Sequence, residues 1–236
     1  MKAEILKILK KEKDYVSGQE LCESLGVSRT AVWKAIRQLE EQGYVIEAVR
    51  NKGYRLVEEA DVLTVAELHS VLDTKWLGKE LEYYYETDST NNRARDAAEK
   101  GASHGFLAVA DCQTAGKGRR GRVWNSPHGT DIYMSFVLRP TFTPSQASML
   151  TLVAGMAVVK GVQKATGLSA MIKWPNDAVV NGKKICGILT EMSTEEDAIR
   201  YVVPGIGINV NATEFPEEIR DKATSLKLEL GRSVKR

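Results

Sequence analysis

Apolar residues in the first part of the chain recur at helical spacing and then begin to alternate. Three amphipathic segments, 1–14, 18–25 and 28–42, are predicted helices, with Ser28 placed to cap the third and Gly43 to end it. Residues 44–57 follow as two short strand-like runs around an Asn-Lys-Gly turn. This order is typical of a winged helix-turn-helix, which we assign to residues 1–58.

Beyond an acidic linker at 59–63, a further helix is predicted at 64–72 and the pattern becomes mixed. Helices are predicted at 90–100 and 146–166. Apolar strand-like runs occupy 81–86, 106–112, 132–138, 171–174, 178–181, 185–192 and 201–210. Several of their connections are too short for a helical crossover, which favours a mixed, mostly antiparallel sheet over a doubly wound one. The predicted class is α+β, with a second domain at 64–236.

Composition narrows the possible classes of protein without choosing a function. The 236 residues are 43% hydrophobic and carry a net charge of only +2. Three cysteines without a CxxC pair indicate a reducing compartment, so we expect a cytoplasmic location: Cys22, Cys112 and Cys186. The three histidines are far apart in the chain, so we predict no structural metal. The longest apolar stretch, 148–162, looks too short to span a membrane, and the N-terminus lacks a signal peptide pattern.

Positive charge in the first domain is concentrated on one helix and one turn. Segments 28–37 and 50–55 hold six basic and no acidic residues, whereas the rest of residues 1–58 carries five basic and nine acidic ones. Such a face suits a phosphate backbone, because bound cations release condensed counterions. The predicted DNA-contacting set is Ser28, Arg29, Thr30, Trp33, Lys34, Arg37, Arg50, Lys52 and Arg55. An ordinary solvated basic face is the alternative.

Four polar segments in the second domain are candidates for chemistry. They are the Asp-Ser-Thr-Asn run at 88–91, the glycine- and arginine-rich loop at 113–124, Lys-Trp-Pro-Asn-Asp at 173–177, and the lysine-containing strand at 182–191. The loop combines glycines, which let backbone N–H groups approach an anion, with arginines that donate to phosphate, but it lacks the spacing of a Walker A loop. Taken alone, the four segments also fit, in the same order, a helix cap, a solvated loop, an Asx turn and an exposed hairpin.

Taken together and in this order, the segments resemble one family, the biotin–protein ligases. The resemblance extends to Gly-Ile-Gly-Ile-Asn-Val at 205–210 and Ala-Thr-Ser-Leu at 223–226, and the winged helix resembles that of the bifunctional ligase/repressor members. It implies a catalytic domain of the class II synthetase type. It also implies a chain that activates biotin with ATP and Mg²⁺ to biotinyl-5'-adenylate and passes biotin to a lysine of a biotin carboxyl carrier domain.

The resemblance also implies roles for individual residues. The biotin-binding set would be Ser89, Thr90, Gln113, Gly116, Lys117, Arg119, Lys184 and Gly187. The ATP- and adenylate-binding set would be Arg119, Arg120, Arg122, Trp124, Lys173, Asn176, Asp177 and Asn209. Lys184, Arg119 and Arg120 would act catalytically, while the Mg²⁺ ligands stay unassigned. Cys112 and Cys186 lie in apolar runs and are expected to be core residues.

Partners follow from the same resemblance: the carrier domain, operator DNA of biotin genes, a homodimer formed when ligand binds, and no membrane. Lys117 replaces an arginine common in relatives, and relatives continue into a small C-terminal β-barrel that this sequence is expected to lack. The leading alternative is a non-catalytic, biotin-sensing winged-helix repressor. A regulator of another anionic metabolite and a ligase with an inert N-terminal domain are further possibilities.

Overall fold

The computed structural model describes residues 1–196 and 198–236. Contacts divide the chain into two compact units, Met1–Asp73 and Thr74–Arg236. Each unit has its own hydrophobic core, so each is described by itself below.

The first unit is a winged helix with the predicted element order. Its elements are α1 (Lys2–Lys11), α2 (Gly18–Leu25), α3 (Arg29–Glu41), β1 (Val45–Val49), β2 (Gly53–Glu58) and α4 (Val65–Val71). Ser28 Oγ accepts from Ala31 N at the start of α3, which satisfies one of the helix's free N–H groups. Val16 pairs with Tyr54 through two backbone hydrogen bonds and extends the hairpin. A Cβ on Gly53 would lie 2.0 Å from Val16 O, so this approach requires glycine.

Helix α4 belongs to the first unit rather than to the second domain predicted to begin at residue 64. The side chain of Glu67, 3% exposed, accepts from Tyr44 Oη at 2.5 Å and from Lys10 Nζ at 2.6 Å. Lys10 Nζ also donates to Ser70 Oγ. These contacts join α4 to α1 and to the start of the hairpin. The first unit therefore ends at Asp73, whereas the sequence pattern placed the start of the second domain at residue 64.

In its described residues, the second unit has a seven-stranded mixed sheet and three α-helices. Its strands are β3 (Leu81–Tyr84), β4 (Leu107–Ala110), β5 (Ile132–Phe136), β6 (Met171–Lys173), β7 (Asp177–Val180), β8 (Lys183–Glu195) and β9 (Ala198–Ile208); its helices are α5 (Thr90–Glu99), α6 (Met149–Thr166) and α7 (Leu226–Leu230). The strand order is β3-β4-β5-β9-β8-β7-β6, and only β3–β4 among these pairs is parallel. The α+β class and the mostly antiparallel sheet are therefore confirmed.

Helices α5 and α6 pack on opposite faces of this sheet. Ile206 and Ile188 point toward α6, while Ser135 and the neighbouring Gly205 point toward α5, because successive strand residues face opposite sides. The α5 face carries an apolar cluster of its own, which includes Val203, whereas small and polar side chains surround Gly205. This second part of the face is where a binding cleft can form.

Helix α6 is more apolar than the prediction from 148–162 allowed for. With the turn before it, Pro144–Thr166 meets the length and composition of a membrane span, with 28% of its apolar window buried. The prediction that this stretch is too short to span a membrane is therefore wrong on length alone. One face of the helix packs on the sheet through Ala154, Val158 and Val162, and a sheet-packed helix meets the same criteria.

Candidate active site

The floor of the cleft is built from glycines on two adjacent strands, β8 and β9. Gly187 lies opposite Gly207 in the antiparallel register. A Cβ on Gly207 would lie 2.5 Å from the Trp124 ring, and one on Gly187 would lie 2.6 Å from it. A Cβ on Gly205 would lie 1.7 Å from Asn91 Oδ1. Any side chain at these three positions would displace the Trp124 ring or the Asn91 amide, so glycine at these positions leaves room for both groups.

A buried network of hydroxyls and amides forms one end of the cleft. Gln113 Oε1 accepts from the backbone N and the hydroxyl of Thr90, and Gln113 Nε2 donates to Ser126 Oγ at 2.9 Å. Ser135 lies 2.7 Å from Thr90 Oγ1 and donates to Asn91 Oδ1. Because each member holds its neighbour, the network fixes the orientation of the Gln113 amide at the beginning of α5.

The glycine- and arginine-rich loop folds back on itself beside the cleft. Trp124 N donates to Gly116 O, and Gly118 N donates to Arg122 O. A Cβ on Gly116 would lie 2.3 Å from Trp124 O, so the two segments could not approach this closely with another residue there. Arg120, with φ of 59°, lies at the tip of the turn.

Two cations of this loop lie along the cleft wall. Lys117 Nζ donates to Asn92 Oδ1 at 2.7 Å, and Arg119 Nη1 donates to Asn176 Oδ1 at 3.2 Å. Asn176 in turn donates to the Ile188 carbonyl at 3.0 Å. The loop is thereby connected to α5 on one side and to the turn between β6 and β7 on the other.

Lys184 supplies a third positive charge to the lining of the cleft. Its Nζ lies 2.7 Å from Asp177 Oδ1 and 5.2 Å from the centroid of the Trp124 ring. The Trp124 indole N–H is buried and meets no acceptor within residues 1–196 and 198–236. The cleft therefore offers a fixed ammonium group and an unsatisfied donor next to each other.

The structure brings about half of the predicted site residues into one cleft. Those that line it are Ser89, Gln113, Lys117, Arg119, Trp124, Asn176, Lys184 and Gly187. Thr90, Gly116 and Asp177 contact lining residues from behind. Arg120, Arg122 and Lys173 are exposed and lie outside the lining. Asn209 is buried, and its amide donates to the Thr224 carbonyl at 3.0 Å.

Gly118, of the predicted loop, also lines the cleft, whereas several other lining residues were not predicted: Asn91, Ile188, Leu189, Gly205, Ile206 and Gly207. Asn91 occupies the motif that gave Ser89 and Thr90, and its amide nitrogen donates to Glu191 Oε2 at 2.7 Å. The alternation of glycine and isoleucine at 205–208 was a usable signal, because glycine at every second strand position leaves one face open.

In the first unit, most of the predicted DNA-contacting side chains are exposed on α3. Trp33 is 51% exposed, with the Arg37 guanidinium 5.6 Å from its ring centroid. Arg29 donates to Gln19 at 3.0 Å. Arg55 is engaged within the unit, since it pairs with Glu47 at 2.6 Å and lies over the Tyr15 ring.

A second group of polar side chains lies beside the amide network. One ligand-type atom from each of Glu86, Cys112 and His128 lies within 4.8 Å of the others. Cys112 follows β4 and is partly exposed, unlike Cys186, which is fully buried in β8 as expected. Burial and the carboxylates of Glu86 and Asp111 raise the pKa of the Cys112 thiol. The prediction of no structural metal considered only the spacing of the histidines along the chain. It could not anticipate side chains from separate segments that the fold brings together.

Comparison with known proteins places both units in described families. Residues 83–209 match the Biotin/lipoate A/B protein ligase family, and residues 2–55 match a family described as HTH domain. The Bifunctional ligase/repressor BirA of Bacillus subtilis is 47% identical over 225 residues, covering 94% of this chain and 69% of that protein. The protein of the same name from Escherichia coli is 34% identical, covering 87% and 63%.

Solved structures with bound ligands are similar to part of the chain. A biotin protein ligase from Aquifex aeolicus in complex with biotin and ATP matches with 39% identity and a TM-score of 0.56, covering 66% of this chain and 62% of that one. A biotin protein ligase from Leishmania major in complex with biotinyl-5-AMP matches with 27% identity and a TM-score of 0.56, covering 65% of each. The chain thus spans less than two thirds of either solved chain.

Proposed function

The chain belongs to the biotin/lipoate A/B protein ligase family, and we propose that it is a bifunctional biotin–protein ligase and repressor. The second unit activates biotin with ATP and transfers it to a carrier protein, and the first unit binds DNA. One observation carries the proposal. A cleft floored by glycines has an amide–hydroxyl network at one end, Lys184 in its lining and the basic loop along its wall.

Biotin fits the polarity of this cleft. Its ureido ring has donors and acceptors that match the hydroxyl of Ser89 and the amide of Gln113. The apolar ring and chain would lie against Trp124, whose own ring packs directly on Gly207. The carboxylate would then reach Lys184, whose ammonium group orients it and lowers the cost of removing it from water.

The first chemical step is an attack by the biotin carboxylate oxygen on the α-phosphorus of ATP. A new P–O bond forms, the bond to the β-phosphate oxygen breaks, and pyrophosphate leaves. Lys184 and Arg119 face the atoms on which negative charge develops, and fixed donors of this kind stabilise a transition state better than mobile water does. Arg120, at the tip of the loop, would reach the phosphates when the loop closes over them.

The second step needs no nucleophile from the protein. The amine of the carrier lysine attacks the acyl carbon of the mixed anhydride, the C–O bond to AMP breaks, and the proton passes to solvent. The loop and Trp124 would shield the anhydride from water until the carrier arrives. Cys186 is buried and takes no part in this step.

Mg²⁺ would accompany the nucleotide. Mg²⁺ is held by oxygen ligands and commonly by one or two carboxylates together with phosphate oxygens. Asp177 provides a carboxylate beside Lys184 and is the residue we propose for it. The bound ion would neutralise phosphate charge. Arg122 and Lys173 lie outside the lining and would act on the outer part of the nucleotide, whereas Asn209 would support the strand that carries Lys184.

The exposed face of α3 is proposed to bind operator DNA, with Arg29, Thr30 and Lys34 directed at base edges and Arg50 and Lys52 at phosphates. We further propose that biotinyl-adenylate favours a homodimer, which presents two winged helices to a two-fold operator. A cytoplasmic location, where ATP, carrier protein and DNA meet, is part of the same proposal.

The transfer reaction tests the ligase function. The protein is incubated with biotin, MgATP and an apo carrier domain, and the carrier lysine is examined by mass spectrometry. Biotin on that lysine supports the ligase. Biotin binding without transfer supports instead a biotin-sensing repressor.

Sedimentation velocity with and without biotin plus ATP tests the dimer. A ligand-dependent shift to the dimer supports the regulatory link. An unchanged sedimentation coefficient over the accessible concentration range contradicts it.

A further inference from the structure

We propose that Glu86, Cys112 and His128 form a binding site for a divalent cation of the zinc class, next to the cleft and distinct from any Mg²⁺ carried by the nucleotide. The three side chains come from three separate segments of the second unit. Their candidate ligand atoms lie within 4.8 Å of one another.

The donor set determines the class of ion. A thiolate, an imidazole and one carboxylate match the ligands that Zn²⁺ accepts, whereas Mg²⁺ prefers oxygen ligands alone. Three protein ligands leave a fourth tetrahedral position for water. With zinc–ligand bonds of about 2.0–2.3 Å, tetrahedral ligand atoms lie about 3.5 Å apart, so the group needs to close by roughly 1 Å.

The side chains have the freedom to make that adjustment. The Glu86 side chain is 56% exposed, and the His128 side chain is 36% exposed. Glu86 Oε2 already lies 3.4 Å from His128 Nε2. The remaining gap is therefore between Cys112 Sγ and this pair, and movement of the exposed Glu86 and His128 side chains can close it without moving the strands.

His128 is oriented as metal-binding histidines usually are. Its Nδ1 lies 3.1 Å from Asp111 Oδ2, so a proton held there leaves Nε2 free to face Glu86. Asp111 is itself fixed, since it accepts from Gly129 N at 3.0 Å and from Arg236 at 2.9 Å. The Tyr85 ring stacks on the imidazole, with 4.4 Å between centroids. Asp111 is thus a positioning residue for the proposed site.

Local charge also favours a cation. Glu86 and Asp111 flank the site, and Arg236 offsets part of the charge of Asp111. On binding, the Cys112 Sγ–H bond breaks, its proton passes to solvent, and Sγ forms the bond to the metal. No oxidation or reduction is involved.

The site connects the segments that carry the amide network. Cys112 precedes Gln113, whose backbone N donates to Ser126 O, and Thr87 N donates to the Cys112 carbonyl. His128 follows Ser126 by two residues. A bound ion would therefore crosslink the three segments 86–88, 112–114 and 126–128, and would stabilise the second unit against unfolding.

The test uses the reduced, chelator-treated full chain, with Zn²⁺ titrated against a chromophoric chelator and Co²⁺ as a spectroscopic probe. We expect one Zn²⁺ per chain, binding that excess Mg²⁺ does not displace, and a Co²⁺ complex with a thiolate charge-transfer band. Zn²⁺ is also expected to raise the melting temperature of the second unit.

Variants assign the ligands. Cys112→Ser and His128→Gln should each weaken Zn²⁺ binding by more than the roughly 10- to 100-fold expected for Asp111→Asn, the positioning residue. The matched controls Cys22→Ser and His69→Gln should leave it unchanged. Melting temperatures without metal establish that each variant folds.

Two results would overturn the proposal. One is Zn²⁺ affinity in Cys112→Ser or His128→Gln equal to that of the parent protein. The other is a Co²⁺ spectrum without a thiolate band. Neither depends on biotin or ATP, so the ligase function can fail or hold independently of this site.

Discussion

At the scale of single residues, two adjacent lysines of β8 differ in their surroundings. Lys184 is half-buried beside Asp177 and Trp124, whereas its neighbour Lys183 is exposed. Two adjacent lysines thus offer the same charge in different surroundings. This contrast separates a role in the reaction from a general effect of positive charge.

Lys184→Gln should reduce kcat/KM for biotin activation by about 10²–10³, because a fixed cation facing developing negative charge is lost. Pyrophosphate release with saturating ATP measures the effect. Lys183→Gln is the matched control and should retain the parent rate. Equal losses in the two variants would contradict a specific role for Lys184.

Gly207→Ala should impair both biotin binding and stability. Its Cβ would lie 2.5 Å from the Trp124 ring, so the indole must move into the cleft or away from it. Overpacking of this kind costs about 1–3 kcal/mol of the free energy of unfolding. Urea denaturation and calorimetric titration with biotin measure the two effects.

Gly161→Ala is the control for that substitution. Gly161 is exposed on α6 with open space around its Cα, so alanine there should stabilise the helix by about 0.5–1 kcal/mol and leave biotin affinity unchanged. If Gly207→Ala behaved in the same way as Gly161→Ala, the glycine floor would have no steric role.

At the scale of elements, the sequence predicted which segments form strands and helices better than it predicted what they contact. The apolar runs located β5, β8 and β9, because period-two alternation and β-branched residues are local signals. Helix α7 (Leu226–Leu230) was missed because five residues are too few to show helical periodicity.

The site was predicted in part for the same reason. Motifs identified Ser89, Gln113 and Lys184, since each stands in a recognisable segment. The contact between Asn91 and Glu191, and that between Asn91 and Gly205, join residues about a hundred positions apart. Such pairings depend on strand order and register, which local pattern does not determine.

The assignment of helix α4 to the first unit can be tested by mutation of Glu67. Glu67→Ala should lower the free energy of unfolding of the first unit by about 1–3 kcal/mol, because the buried Tyr44 hydroxyl loses its acceptor and Lys10 keeps Glu59 as its remaining carboxylate. Thermal unfolding followed at the winged helix measures it. Glu12→Ala, at the exposed end of α1, should have little effect.

At the scale of the whole molecule, one chain combines two units of different chemistry. The first presents exposed basic residues on α3, and the second contains the cleft. The net charge of +2 hides this division, since the basic residues of segments 28–37 and 50–55 are balanced elsewhere. DNA binding should therefore depend on local charge and respond to salt.

Lys34→Ala should weaken operator binding and reduce the discrimination between operator and random DNA, because Lys34 is proposed to contact a base edge. A slope of log K against log salt concentration reduced by about 1, with discrimination unchanged, would assign Lys34 to a phosphate instead. Fluorescence anisotropy at several salt concentrations separates these outcomes. Lys7→Ala, on α1, is the control, and an equal effect there would contradict a binding face on α3.

The proposed function depends above all on activation of biotin in the cleft of the second unit. Chromatography of a mixture of the protein, biotin and MgATP detects the products of that step. We expect biotinyl-adenylate and pyrophosphate in equal amounts, formed by the parent protein and by Lys183→Gln but strongly reduced in Lys184→Gln. A protein that binds biotin and ATP but forms neither product, or a Lys184→Gln variant that forms them at the parent rate, would mean that the cleft does not activate biotin in this way.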